Sequence, residues 1–173
     1  MDQGEAVTGA TLTTSQLQPL LERLGLLVTD LAEDLPAQVL STGLPYLVVP
    51  VRAESLSRSA IEGVDLEELL MSVGAKFVLV LDAAGREVRT GDNLGRVEDV
   101  ATGSAAGPAA AYLFAHNLAD PSDPLEIAQG RFAGRPSELK ITRRSLNRLS
   151  VSGEVWPVAH GFLEPELICA STS

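Results

Sequence analysis

Apolar positions along this chain switch between two periods, and the switches divide it into elements. Leu17, Leu20, Leu21 and Leu24 fall on one face of a helix. They predict a helix over 16–24, capped by Ser15, with Pro19 near its first turn and Gly25 as its stop. Leu66, Leu69, Leu70 and Val73 repeat the pattern and predict a helix over 66–73 capped by Asp65. Residues 46–51 and 77–81 are nearly all apolar, as expected of strands covered on both faces. Shorter strands are predicted over 37–41, 87–90, 125–129, 139–142, 149–151 and 155–158, with turns at 42–45, 83–85 and 152–153. Residues 56–61 read as one or two helical turns, and the polar segment 1–14 as an arm or an edge strand.

The longest predicted helix breaks the amphipathic rule. It opens at Thr102 or Gly103 and runs to about His116, and seven of the nine residues 103–111 are Gly or Ala. Small side chains at that density make a surface that other elements can approach very closely. The expectation is a helix through the middle of a curled sheet, with Tyr112, Leu113 and Phe114 filling a wider end. The fold class expected is α+β: a curved mixed or antiparallel sheet wrapped around a central helix, as one domain over 1–173.

Composition narrows the function classes. With 173 residues, 45% hydrophobic and 4% aromatic, the chain can bury a core of Leu, Val, Ile and Ala. It has no apolar run long enough for a transmembrane helix, and its start has no signal-peptide pattern. The net charge of −10 opposes binding to nucleic acid or an anionic membrane. One cysteine, Cys169, excludes an intramolecular disulfide, and one Cys with two His makes a single-chain zinc site a poor fit. A reducing, cytoplasmic location is expected. Arg131, Arg135, Lys140, Arg143, Arg144 and Arg148 crowd one segment; solvated hairpin faces account for them better than an anion patch does.

Candidate chemistry concentrates just before the small-residue helix. Glu98 and Asp99 precede Thr102, Gly103 and Ser104, so carboxylates and hydroxyls sit beside the free N–H groups of a helix N-terminus. Such a place holds an anionic group of a ligand. An acidic N-cap region with no chemistry is the competing reading.

The run Glu98-Asp99-x-Ala101-Thr102-Gly103-Ser104-Ala105 resembles the signature of the phenazine-biosynthesis (PhzF-like) isomerase family. Further likenesses follow in order: the segment 41–50, Gln129-Gly130 with Gly134-Arg135-Pro136-Ser137, and Val151-Ser152-Gly153. The resemblance implies one half, the second, of a diaminopimelate-epimerase-like fold, in which two similar halves enclose a cleft beneath two central helix N-termini. It implies a cofactor-independent proton-transfer isomerisation of a small cyclic acid. Asp99 matches the family's active-site aspartate, and Gly103 and Ser104 match substrate-binding positions, with Glu98 and Thr102 beside them. Val100 stands where the family usually has proline, and His116 and His160 match no site position. The family's principal glutamate and its histidine partner belong to the first half. Expected partners are therefore a small anionic molecule, and a second copy of the chain or a separately encoded first half. The alternatives are a non-catalytic binding or assembly domain and a fragment of a full-length isomerase.

Overall fold

The computed structural model describes residues 1–145, 148–154 and 157–162. Among these residues nine strands form one mixed sheet: β1 (Asp2–Glu5), β2 (Val7–Thr11), β3 (Gln38–Ser41), β4 (Pro45–Val51), β5 (Phe77–Asp82), β6 (Glu87–Thr90), β7 (Leu125–Gln129), β8 (Ser137–Arg143) and β9 (Arg148–Ser152). Their order is β1-β9-β8-β7-β6-β5-β4-β3-β2, with β4–β5 and β6–β7 parallel and the remaining pairs antiparallel. The two outermost strands, β1 and β2, are separated in sequence by Ala6 alone. A chain advances less than about 4 Å per residue, so the opposite edges of the sheet must come close together. The sheet is therefore strongly curved and nearly barrel-shaped. The segment 1–14, read as an arm or an edge strand, supplies both edges.

Each parallel pair needs a crossover, and the two crossovers carry helices to opposite faces. Between β4 and β5 run α2 (Ala53–Leu56) and α3 (Glu67–Ser72); between β6 and β7 runs α4 (Gly103–Ala115). Ala105, Ala106, Ala109, Ala110, Tyr112 and Leu113 of α4 are buried in one cluster with side chains from β3 through β9. On the other face, α1 (Thr14–Arg23), α2 and α3 cover the central strands with Leu17, Leu20, Leu21, Leu56 and Leu70. This second cover explains why β4 and β5 lack alternation: both of their faces are buried. At Gly107 a Cβ would lie 2.5 Å from Thr42 Oγ1, so the small residues of α4 do permit the close approach expected of them.

Several boundaries differ from the sequence reading. Helix α1 is capped by Thr13, not Ser15, through a reciprocal capping box with Gln16. Ser15 has an equivalent partner three residues on, Gln18. Capping at Thr13 also places Leu12 and Leu17 at the two ends of a hydrophobic staple, and both are buried in the same cluster. Pro19 consequently sits in the second turn, where it deletes one helical N–H. The helical turns expected over 56–61 are not found there: α2 lies just before, at Ala53–Leu56, and Arg89 takes the carbonyls of Leu56, Ser57 and Ser59. Asp65 does serve the start of α3, accepting from the Glu67 N–H at 3.0 Å. Gly25, at φ +67°, is the stop of α1. Of the strand expected over 155–158, residues 155 and 156 lie outside the described residues, and 157–158 belong to no strand.

Candidate functional site

The loop 91–102 leads from β6 into α4, and its two acids go to different places. Glu98 forms a bridge with Gly91, the next residue's N–H donates to Thr90 O at 3.0 Å, and successive side chains leave such a segment on opposite sides. Glu98 turns into the protein. Its carboxylate is bound at both oxygens by Arg89, Nε to Oε1 at 2.9 Å and Nη2 to Oε2 at 2.6 Å. The pair is buried, and Arg89 Nη1 extends it to Ser59 O at 2.7 Å while the guanidinium lies 4.6 Å from the Phe132 ring centre. Glu98 thus ties the site loop to the end of α2, and the structure does not bring it together with the other candidates.

Asp99 is half-buried and faces the start of α4. Thr102 Oγ1 donates to Asp99 Oδ2 at 3.0 Å. Thr102 is the N-cap residue of α4, yet its side chain makes no capping bond to the helix. A Thr cap contributes about 1 kcal/mol, so turning the hydroxyl to Asp99 forgoes that stabilisation. The first-turn N–H groups of Gly103 and Ser104 have no protein acceptor among the described residues. Gly103 and Ser104 are themselves partly exposed.

Two residues that the sequence reading did not assign to the site complete it. Gln129, at the end of β7 and 1% exposed, accepts from Thr102 N–H at 2.9 Å and donates to Asp99 O at 2.8 Å and to Thr102 Oγ1 at 2.9 Å. Tyr46 of β4 hydrogen-bonds Ser104 Oγ at 2.9 Å and packs against Phe77. Gln129 was visible in the sequence only as half of a Gln-Gly motif. Tyr46 was hidden inside an apolar strand, where a tyrosine usually fills space.

Burial pushes the Tyr46 hydroxyl above its usual range, and the nearby Asp99 charge adds to the rise against the Ser104 hydrogen bond. Burial likewise raises Tyr112, whose hydroxyl donates to Pro36 O. A tyrosine whose folded-state value is raised stabilises the fold fully below its ordinary value of 10.0, and that contribution is lost as pH climbs through the folded value. Chemical denaturation at pH 8, 10 and 11.5 should therefore show stability falling at the last step. Tyr46→Phe should flatten part of that fall.

Three of the six basic residues in this segment form ion pairs among the described residues. Arg131 binds Glu87, Lys140 reaches Glu126 and Arg148 binds Asp2. Arg135 lines a groove of about 990 Å³ beside Ala101 of the site loop. His116 packs against Tyr112 at a tilt, with ring centres 4.3 Å apart, away from the site, and His160 is exposed. Cys169 lies outside the described residues. Among the described residues there is no cluster of three metal-ligating side chains, and no helix is long and apolar enough to cross a membrane.

Comparison with known proteins matches residues 9–161 to the phenazine biosynthesis-like protein family, PhzC-PhzF. A trans-2,3-dihydro-3-hydroxyanthranilate isomerase from Pseudomonas fluorescens is 49% identical over 63 residues, which are 34% of this chain and 23% of that protein. Its Pseudomonas chlororaphis counterpart is 47% identical over 64 residues. The structure of a predicted epimerase from Pseudomonas aeruginosa superposes with a TM-score of 0.86 at 48% identity, covering 94% of this chain and 57% of that one. A PhzF-family phenazine biosynthesis protein from Bacillus anthracis shares the fold, with a TM-score of 0.66 at 22% identity over 88% of this chain and 56% of that one. The chain thus spans little more than half the length of the solved relatives it matches.

Proposed function

Because this chain belongs to the PhzC-PhzF phenazine biosynthesis-like family, we propose that it takes part in cofactor-independent proton transfer within a small cyclic acid, as an isomerase. One observation carries this reading. The N-terminus of α4 is left without a side-chain cap because Thr102 is turned onto Asp99, and Ser104 stands on the same first turn. Two unpaired N–H groups and a helix dipole favour the carboxylate of a ring acid. Asp99 lies beside it as the group that moves or steadies a proton. The chemical class comes from the two Pseudomonas isomerases, whose substrate is a cyclic amino acid.

In this reading the curved sheet wraps α4 as one half of a diaminopimelate-epimerase-like fold. The opposite wall of the cleft comes from a second copy of the chain or from a separately encoded first half. A homodimer would bring two Asp99–Ser104 sites toward one cleft. Gly103 and Ser104 hold the carboxylate, Thr102 orients Asp99, and Glu98 fixes the loop through Arg89.

The test is turnover of trans-2,3-dihydro-3-hydroxyanthranilate in deuterated water, with deuterium uptake followed by proton NMR. The species assayed is first defined by light scattering. Asp99→Ala should lower the rate by about 100-fold or more, the range of a lost proton-transfer group.

A further inference from the structure

Resting on the proposed function, we infer that Gln129 is the positioning residue for Asp99 and acts through the Thr102 hydroxyl. The orientation of its amide is fixed by its surroundings. Its oxygen faces the Thr102 N–H, which can only donate, and its nitrogen faces the Asp99 carbonyl, which can only accept. The reversed amide would set donor against donor and acceptor against acceptor. The second Nε2 proton then goes to Thr102 Oγ1 at 2.9 Å.

That assignment settles the direction of the next bond. Thr102 Oγ1 already accepts from Gln129, so its single proton is free to go to Asp99 Oδ2 at 3.0 Å. A threonine hydroxyl can ordinarily rotate and serve as donor or acceptor; here it is held as a donor aimed at the carboxylate. Asp99 Oδ2 is thereby engaged. Gln129 also holds the Asp99 backbone, so one buried side chain fixes both the main chain and the carboxylate rotamer of Asp99. Thr102 makes no capping bond to the helix, and its rotamer is the one that reaches Asp99 and Gln129.

The test compares wild type, Thr102→Val, Thr102→Ser and Gln129→Glu in the full chain. Each is checked for folding by amide NMR, and the Asp99 carboxyl carbon is read by ¹³C NMR at pH 7. Thr102→Val removes the hydroxyl at nearly constant volume, and it should displace the Asp99 carboxyl resonance. Thr102→Ser should restore it. Gln129→Glu loses the Nε2 donor, so the Thr102 proton turns to residue 129 and the Asp99 resonance should move as in Thr102→Val. In turnover, Thr102→Val should lower kcat about tenfold with KM little changed, and Thr102→Ser should recover most of it. If Thr102→Val folds and leaves the Asp99 resonance in place, the inference is overturned, whatever Gln129→Glu does. If wild type gives no turnover in every assembly it forms but the resonances move and recover as stated, the positioning stands and the isomerase reading fails.

Discussion

Glu98→Gln should lower the thermal midpoint by on the order of 10 °C. The substitution keeps the side-chain size and removes the charge, leaving the Arg89 guanidinium buried beside a neutral amide. Removing one partner of a buried ion pair costs about 3–5 kcal/mol, and for a domain of this size each kcal/mol shifts the midpoint by about 2–4 °C. Arg89→Met should cost more. It strands the Glu98 carboxylate and also strips the carbonyls of Leu56, Ser57 and Ser59 of their donor. For the same reason the double variant Arg89→Met, Glu98→Leu should recover only part of the loss, although replacing a simple buried pair by apolar residues is often neutral. Calorimetry of the four proteins checks the order. Full recovery in the double variant would mean that the carbonyl contacts contribute nothing.

Gly130→Ala is the second large effect, and it reaches the site directly. Gly130 has φ +83°, and a Cβ there would stand 2.4 Å from Arg135 O and 2.5 Å from Val100 O. Both obstacles are backbone, so no side-chain rotation relieves them. The left-handed conformation costs a non-glycine residue about 1–2 kcal/mol, and overpacking adds about 1–3 kcal/mol. The midpoint should fall by about 4–20 °C. Because Val100 follows Asp99 in the chain, the displaced loop should also weaken the Thr102–Asp99 contact. The two effects separate by comparison with Gly134→Ala. That residue also has positive φ, at +72°, but has nothing within 4 Å of its Cβ position, so it should lose only the conformational part.

These two residues show how far the sequence carries the account. The elements are legible where one apolar pattern runs long enough: helical spacing in α1 and α3, unbroken apolar runs in β4 and β5, and a dense run of small residues in α4. The start of α4 at Thr102 and the turn at Gly25 followed from local chemistry alone. The sequence leaves the cap of α1 undecided, because Thr13 and Ser15 offer equivalent capping boxes and only the packing of Leu12 on the core decides between them. The sequence places the helical turn at 56–61, after α2 instead of on it, because the carbonyls there are taken by Arg89, 33 positions away from Leu56. The same limit governs the site. Asp99, Thr102, Gly103 and Ser104 form one local motif and were found together. Glu98 belongs to that motif in sequence but faces a strand partner in space. Gln129 and Tyr46 come from other strands, and only the register of the sheet brings them to the start of α4. A lone Arg in a buried strand, with an acid nine residues later, was the available signal for the Arg89–Glu98 pair.

The central claim is that the uncapped start of α4, with Asp99 held by Thr102, is a site of proton transfer on a ring acid. Deuterium uptake into trans-2,3-dihydro-3-hydroxyanthranilate tests it most directly, measured for wild type and Asp99→Asn at the same native mass. The account predicts uptake by wild type and a loss of about 100-fold or more in the variant, with the fold unchanged. Equal uptake by the two proteins would contradict it, as would the absence of uptake by wild type in every assembly it forms.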